Sequence, residues 1–367
     1  MISLHILPIA LASALLFTSV SGHCRKPRVR REWRAISSDE RASWINAVKC
    51  LANLPHDPKI AATVDPALSL IPPLALNSSH YDDFVYVHMD LNVWIHMTGL
   101  FLPWHRQYVQ AFEDELRSKC GYDGVQPYWG WTEDTADFYH ATIFSDSTFD
   151  GLGSWGDPNN DFQISTGGLK DITVAYPVPH NIRRNYTLEP FIGGWTGSPP
   201  GTSPDPTLML NTTFTKANVD FIINSFGGDY FSFQAYTEGI FGPHPGPHLI
   251  LGGDMGGRCP FGLEPPECNL GIGMKWSPND PMFFLHHAMI DKVWYDWQHQ
   301  NSSNANAFEG GANSWQTDPN ITYLQYPTGG PPWLNLSSVI PGDGFWEDVT
   351  IGDVMDAVGG RLCYTYA

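Results

Sequence analysis

Two segments of this chain set histidines among aromatic residues: His96 to Glu113, reading HMTGLFLPWHRQYVQAFE, and Asn279 to Trp297, reading NDPMFFLHHAMIDKVWYDW. A shorter stretch between them, FGPHPGPHLILGG, holds His244 and His248. Imidazole nitrogens carried on helices hold transition metals inside helical bundles, and two such segments imply two metals facing each other. Hydrolytic zinc sites usually add a carboxylate ligand, so sets made of imidazole alone suit copper better.

Helical geometry limits which rings can meet. His96 and His105 are nine residues apart, about 13 Å on one straight helix, too far to share an ion. A break is required, and Gly99 and Pro103 supply it, with Pro103 tolerated in the first turn of a new helix that carries His105. His88 lies eight residues before His96, about 12 Å along a helix, so it is expected on a bend or preceding turn that folds back. His244 and His248 are four apart, which on a helix stacks both rings on one face. Pro245 and Pro247 are compatible with that helix if His244 is its N-cap and both prolines fall in the first turn, where their missing amides have no partner to lose. The neighbours His286 and His287 point about 100° apart on a helix, so only one of them can aim at a metal.

The elements that must position these rings are mostly helices. Ser38 to Leu54 reads as a first helix, with Ser37 or Ser38 as N-cap and Trp44, Ile45, Val48 and Leu51 on its apolar face. Further helices are expected from about Tyr81 to Thr98, from Pro103 to Arg117 and from Asp280 to Gln298. With 35 glycines and 30 prolines among 367 residues, long irregular connections must join them. Ser145 to Pro206 carries turn signals and little periodicity. The fold class expected is mainly α, and no repeat or composition break divides residues 23–367, which read as one domain.

Composition narrows the setting. At 42% hydrophobic and 16% charged, the chain is globular and too aromatic for disorder. A net charge of −18 argues against nucleic acid or an anionic membrane as partner, since both require a basic face. The basic run CRKPRVRREWR, Cys24 to Arg34, reads as an N-terminal arm tied down by its cysteine and acidic neighbours. Residues 1–22 read as a secretory signal peptide, because the apolar run from Ile6 to Val20 is followed by small residues and is short of the roughly 20 residues a span needs. Six cysteines suit three disulfides in an oxidising compartment, Cys259 with Cys268 being the easiest pair. Sequons at Asn77, Asn185, Asn211, Asn301, Asn320 and Asn335 are expected on the surface of a secreted, extracellular glycoprotein.

A family becomes visible at these residues. His96, Phe101, Leu102, Pro103, Trp104, His105, Arg106, Val109 and Glu113 resemble the first copper signature of tyrosinases. Asp280, Pro281, Phe283, Phe284, His287 and Asp291 resemble the second, which selects His287 over His286. The likeness runs from VRREW to Tyr364, Thr365 and Tyr366, similar to the Y-x-Y mark that ends the family's catalytic domain, and is strongest to short secreted fungal polyphenol oxidases. It implies a four-helix bundle with long loops and few short strands around two copper ions, a binuclear type 3 centre. One copper would be held by His88, His96 and His105, the other by His244, His248 and His287. The implied activity is oxidation of o-diphenols to o-quinones by dioxygen, as in a catechol oxidase acting on small phenols. The same matching places Phe283 over the metals and Met274 at a gate position. Glu238, six residues before His244, would orient a water for phenol deprotonation, and Arg106 and Asp291 would pair to brace two helices.

Departures from the family bear on substrate. Many monophenol hydroxylases carry Asn directly after the first histidine of the second set; here Pro245 stands there and offers no amide. Leu249, after His248, gives an apolar rim suited to a phenol ring. Trp94 replaces the cysteine that forms a thioether to histidine in longer fungal forms. The sequence stops at Ala367, so no shielding C-terminal domain and no need for proteolytic trimming are expected. The alternatives are a tyrosinase-type hydroxylase of monophenols or o-methoxyphenols, a haemocyanin-like dioxygen carrier, and a structural glycoprotein whose histidines merely pack.

Overall fold

The computed structural model describes residues 24–188, 207, 209–263, 268, 275–359 and 361–367. The apolar leader read as a signal peptide and Met274 lie outside the described residues. Helices dominate the remainder, as expected: α1 (Ser38–Leu51), α2 (Pro66–Ser69), α3 (His80–Ile95), α4 (Phe101–Cys120), α5 (Lys216–Ser225), α6 (Tyr230–Glu238), α7 (Pro245–Leu251), α8 (Met282–Gln300) and α9 (Ile351–Met355). The strands are short: β1 (Arg28–Arg30), β2 (Thr173–Val174), β3 (His180–Asn181), β4 (Gly311–Asn313), β5 (Gly330–Trp333) and β6 (Tyr364–Tyr366). Among the described residues no helix is long and apolar enough to cross a membrane.

Local signals explain the main elements. Capping boxes start α1 at Ser37 with Glu40, and α3 at Ser79 with Asp82. The apolar face of α1 packs on α4, where Trp44 meets Phe112 edge to face at 6.4 Å between ring centres. Nearly every side of α3 is buried, as befits a helix at the centre of a protein. Helix α4 ends on Gly121 at φ +67°, a left-handed terminus that favours glycine. Phe112 of α4 and Phe284 of α8 stack at 3.5 Å, joining the two helices that carry His105 and His287. Asp280 opens α8: its carboxylate accepts from the amide of Met282 and receives a two-pronged contact from buried Arg184 at 2.6 and 3.0 Å.

Both ends of the described chain are fastened to this bundle. Strand β1 runs parallel to β6, pairing Arg28 with Tyr364 and Arg30 with Tyr366, and Cys24 is disulfide-bonded to Cys363. The other bridges join Cys50 to Cys120 and Cys259 to Cys268. The basic arm therefore enters the core. Arg30, fully buried, donates to Gln110 and Glu113 and contacts Asp291, and its guanidinium lies 3.6 Å over the Tyr364 ring.

Several expectations need correction. His88 does not sit on a bend: it is inside the unbroken α3, and the chain turns only after Ile95. Helices α5 and α6 were not legible, and α4 extends three residues beyond Arg117 to Cys120. Of the sequon asparagines, Asn77, Asn301, Asn320 and Asn335 are exposed, whereas Asn185 and Asn211 are half-buried. The Asn211 amide donates to the Thr135 carbonyl at 2.7 Å, and Thr213 of that sequon is buried.

A buried ionic cluster ties the start of α3 to α4 and to the loop after α1. His80 lies between Asp83, at 2.9 Å, and Glu115, at 2.8 Å, while His56 reaches the other oxygen of Asp83. Burial pulls the His80 ring down, but the two carboxylates outweigh it and hold it at about 9, against an ordinary 6.5. A raised folded value stabilises the fold fully below the unfolded value and loses that contribution as pH rises through 9. His80→Gln should therefore cost about 3 kcal/mol at pH 6 and much less at pH 10. Denaturant unfolding of both proteins at the two pH values measures this, and a cost independent of pH would contradict it.

Candidate metal centre

Each ring reaches the centre through a specific local device. His88 projects from the middle of α3. His96 is the residue that ends this helix, in extended conformation at φ −120° and ψ 142°. Met97 follows at φ +55°, a left-handed conformation that a residue with a side chain adopts at a cost. The turn brings His96 back over the helix, 5.2 Å from His88 between ring centres. Gly99 allows the turn for a packing reason: a Cβ there would stand 3.0 Å from the Gly310 Cα, and one on Gly310 would stand 2.5 Å from the Gly99 Cα. The Gly99 amide donates to the Gly311 carbonyl at 2.9 Å. Pro103 falls in the first turn of α4, and His105 follows it.

The second set uses proline as expected. His244 is the N-cap of α7, with Pro245 and Pro247 in the first turn, and His248 sits one turn on. His244 and His248 lie 4.9 Å apart between ring centres. From α8 comes His287, whose ring stacks on His105 at 4.4 Å and on Phe283 at 4.1 Å. Two groups result whose ligand atoms fall within 4.8 Å of one another: His88, His96 and His105, and His244, His248, His286 and His287.

The hydrogen bonds leave free nitrogens pointing inward. The Nδ1 of His88 pairs with the Lys275 carbonyl at 2.7 Å, that of His96 with Asn92 at 3.1 Å, that of His105 with Phe101 at 2.7 Å and that of His248 with Met255 at 3.0 Å. A carbonyl only accepts, so each Nδ1 carries the proton and each Nε2 keeps its lone pair. The Nε2 atoms of His88 and His105 are buried without a partner, as are both ring nitrogens of His244 and Nδ1 of His287. The Nε2 atoms of His248 and His287 face each other at 3.2 Å. Orphaned buried ring nitrogens are costly, and a cation bound among them would satisfy those that the protein leaves without a partner. Burial pulls all of these rings well below the ordinary histidine range, His96 to about 4 and His248 to about 3. Six neutral imidazoles with no thiolate or carboxylate among them fit a copper pair.

Phe283 packs between the sets, 5.1 Å from His88 and 5.8 Å from His248 between ring centres. Leu249 and Pro245 are buried on α7. Glu238, at the end of α6, is buried, and one of its oxygens accepts the Met97 amide at 2.6 Å while the other faces the Gln234 amide at 3.4 Å. Burial pushes this carboxyl well up. Arg106 and Asp291 do pair, in a knot that also includes Arg30, Tyr364 and Tyr366. Sequence reasoning missed the Lys275 and Met255 carbonyls and the Gln234 amide, which also donates to the Thr98 carbonyl at 2.6 Å. Backbone carbonyls leave no mark on residue type, so no sequence signal could have found the first two.

Comparison with known proteins agrees with this geometry. Residues 78–300 match the family described as the common central domain of tyrosinase, and the chain belongs to that family. It is thus a copper oxidase of the tyrosinase type, whose cofactor is a binuclear type 3 copper centre. Tyrosinase ustQ of Aspergillus flavus is 28% identical, over 94% of this chain and 80% of its own length. N-acetyl-6-hydroxytryptophan oxidase ivoB of Emericella nidulans is 28% identical over 92% of both chains. A solved structure of a polyphenol oxidase variant from Thermothelomyces thermophila superposes with a TM-score of 0.61 at 27% identity, over 93% of this chain and 89% of the other.

The clamp from Glu238 onto Met97 holds the turn that aims His96. Glu238→Ala should lower stability by about 2–3 kcal/mol, from a lost buried hydrogen bond and a cavity. Glu238→Gln, which retains an accepting oxygen, should lose less than half as much. Urea denaturation of the two variants tests this, and equal losses would remove the clamp as the cause.

Proposed function

We propose that this protein oxidises o-diphenols to o-quinones with dioxygen, one copper being held by His88, His96 and His105 and the other by His244, His248 and His287. The observation that carries the ligand assignment is that His88, His96, His105 and His248 give their Nδ1 protons to carbonyls outside and keep lone pairs inside, with His244 and His287 clustered beside His248. When bound, the copper pair couples oxidation of two diphenols to two quinones with reduction of one dioxygen to two waters. The chain's residues keep six rings neutral and shield them with Phe283. That surface suits a small uncharged phenol, with Leu249 contributing an apolar edge next to His248.

The preference for diphenols rests on two residues. Pro245 has no amide hydrogen, so Glu238, which also accepts from Met97 and Gln234, would have to hold without it a water that deprotonates a monophenol. General-base help of this kind is worth about 10²–10⁴-fold in rate. We further propose that residues 1–22 direct secretion and that 23–367 form the extracellular catalytic unit, a placement with which the three disulfides are compatible. The relative named for N-acetyl-6-hydroxytryptophan suggests that fused-ring hydroxylated aromatics belong in the substrate panel.

Metal analysis should find two coppers per chain in the parent and about one in His105→Gln or His248→Gln, since each substitution breaks one set. On copper-loaded protein, catechol turnover should exceed that of phenol and of o-methoxyphenol by about 10²-fold or more, and Pro245→Asn should narrow the gap. High phenol turnover in the parent would defeat the argument from Pro245, and reversible oxygen binding without quinone formation would favour a carrier.

A further inference from the structure

His286 lies in the same cluster as His244, His248 and His287, is fully buried, and is left without work if His287 is the ligand. Its hydrogen bonds give it one. The Trp131 indole nitrogen approaches the Nδ1 of His286 at 3.1 Å, and the Nε2 of His286 approaches the main-chain carbonyl of His244 at 3.1 Å. An indole nitrogen only donates and a carbonyl only accepts. The chain of bonds therefore has one direction: Trp131 gives its hydrogen to Nδ1, and Nε2–H gives its hydrogen to His244. With both nitrogens so used, His286 has no lone pair for a metal.

The neighbouring rings show why this matters. His88, His96, His105 and His248 are each oriented by a bond from their own Nδ1 to a carbonyl. His244 has no such bond at either ring nitrogen. It is held through its main chain instead, its amide donating to the Thr237 carbonyl at 3.2 Å and its carbonyl receiving His286. The two rings lie nearly parallel, 16° apart at 5.8 Å between centres. Trp131 is itself fixed, since the turn that carries it is tied to α8 by the Trp129 amide, which donates to the Leu285 carbonyl at 3.0 Å, one residue before His286.

We infer that His286 is a positioning residue, which sets the place of His244 by gripping its carbonyl, and that Trp131 sets the tautomer in which His286 can do so. This rests on the assignment of His244 and His287 as ligands. Hydrogen-bond partners behind a metal ligand typically matter by about 10–100-fold in metal affinity.

The test uses the full chain loaded with copper, with release followed as copper per chain during challenge by a copper chelator. Trp131→Phe should load with two coppers and then lose one of them about 10-fold faster than the parent; His286→Leu should lose that one about 100-fold faster. His286→Gln keeps an N–H to offer to His244 and should fall between the parent and His286→Leu. In metal-free protein labelled with ¹⁵N-histidine, the parent should show His286 protonated at Nε2 and unprotonated at Nδ1, and Trp131→Phe should mix the tautomers. Parental release rates in both Trp131→Phe and His286→Leu would overturn the inference, as would equal acceleration of both coppers or a His286→Gln no better than His286→Leu. If His286→Leu does not fold, Trp131→Phe decides alone. His287→Leu separates the two readings: two coppers retained there would defeat the ligand assignment itself, whereas one copper there with parental release in Trp131→Phe would defeat only the role of His286.

Discussion

An imidazole that offers a lone pair inward must place its proton on the other nitrogen, and in a dry interior that proton needs an acceptor. Most of the centre follows from this requirement. Asn92, which receives the proton of His96, lies in the last turn of α3, where carbonyls have no later amide to cover them. Ending the helix at Ile95 thus frees both the chain to turn and the acceptor that orients the ring. His88 and His248 find their acceptors on Lys275 and Met255, so segments that contribute no ring to the cluster still orient its rings. Lys275 is held in turn by its ammonium, which donates to the Ser69 carbonyl at the end of α2 at 2.6 Å.

A second constraint lies behind the helices rather than between them. Asp291 of α8 accepts from Arg30, Arg106, Tyr364 and Tyr366. Burial works to raise this carboxyl, yet the two guanidiniums hold it below its usual range. Arg106 also reaches the carbonyls of Val354 and Met355 at 3.0 Å and lies 3.5 Å over Trp294. Such a knot is expensive to desolvate and repays that cost only as its donors are met; most of these guanidinium nitrogens are, while Arg30 Nε and Arg106 Nη2 are buried without a partner. Its members come from β1, α4, α8 and β6, so it fixes the relative placement of α4 and α8, and with them His105 and His287, from the side away from the rings.

How far the sequence could be read depended on whether a residue acts through its own type or through its backbone. The break between His96 and His105 was legible because a distance excludes a single helix, and the N-cap role of His244 because prolines tolerate only the first turn. The place of His88 was not legible in this way, because the later ring does the folding back, through a left-handed Met97 that no residue preference announces. Helices α5 and α6 escaped because they are only 10 and 9 residues long, too short for a helical period to stand out. The pairing of Arg106 with Asp291 was legible from position, while the entry of Arg30 into the same knot was not, since a basic run near a terminus ordinarily stays in water. Between His286 and His287 the helix alone left the choice open; the family signature selected one, and the carbonyl of His244 explains the other.

The contact between Gly99 and Gly310 has a consequence for how the protein tolerates change. Two backbones touch there with no side chain between them, so no rotamer can absorb an added atom. A methyl group on either side must be taken up by moving main chain, and on one side that chain carries His96. Elsewhere in the core an enlarged residue costs packing locally. At this contact the same enlargement is transmitted as a displacement of a ring, so Gly99 and Gly310 together work as a hard stop.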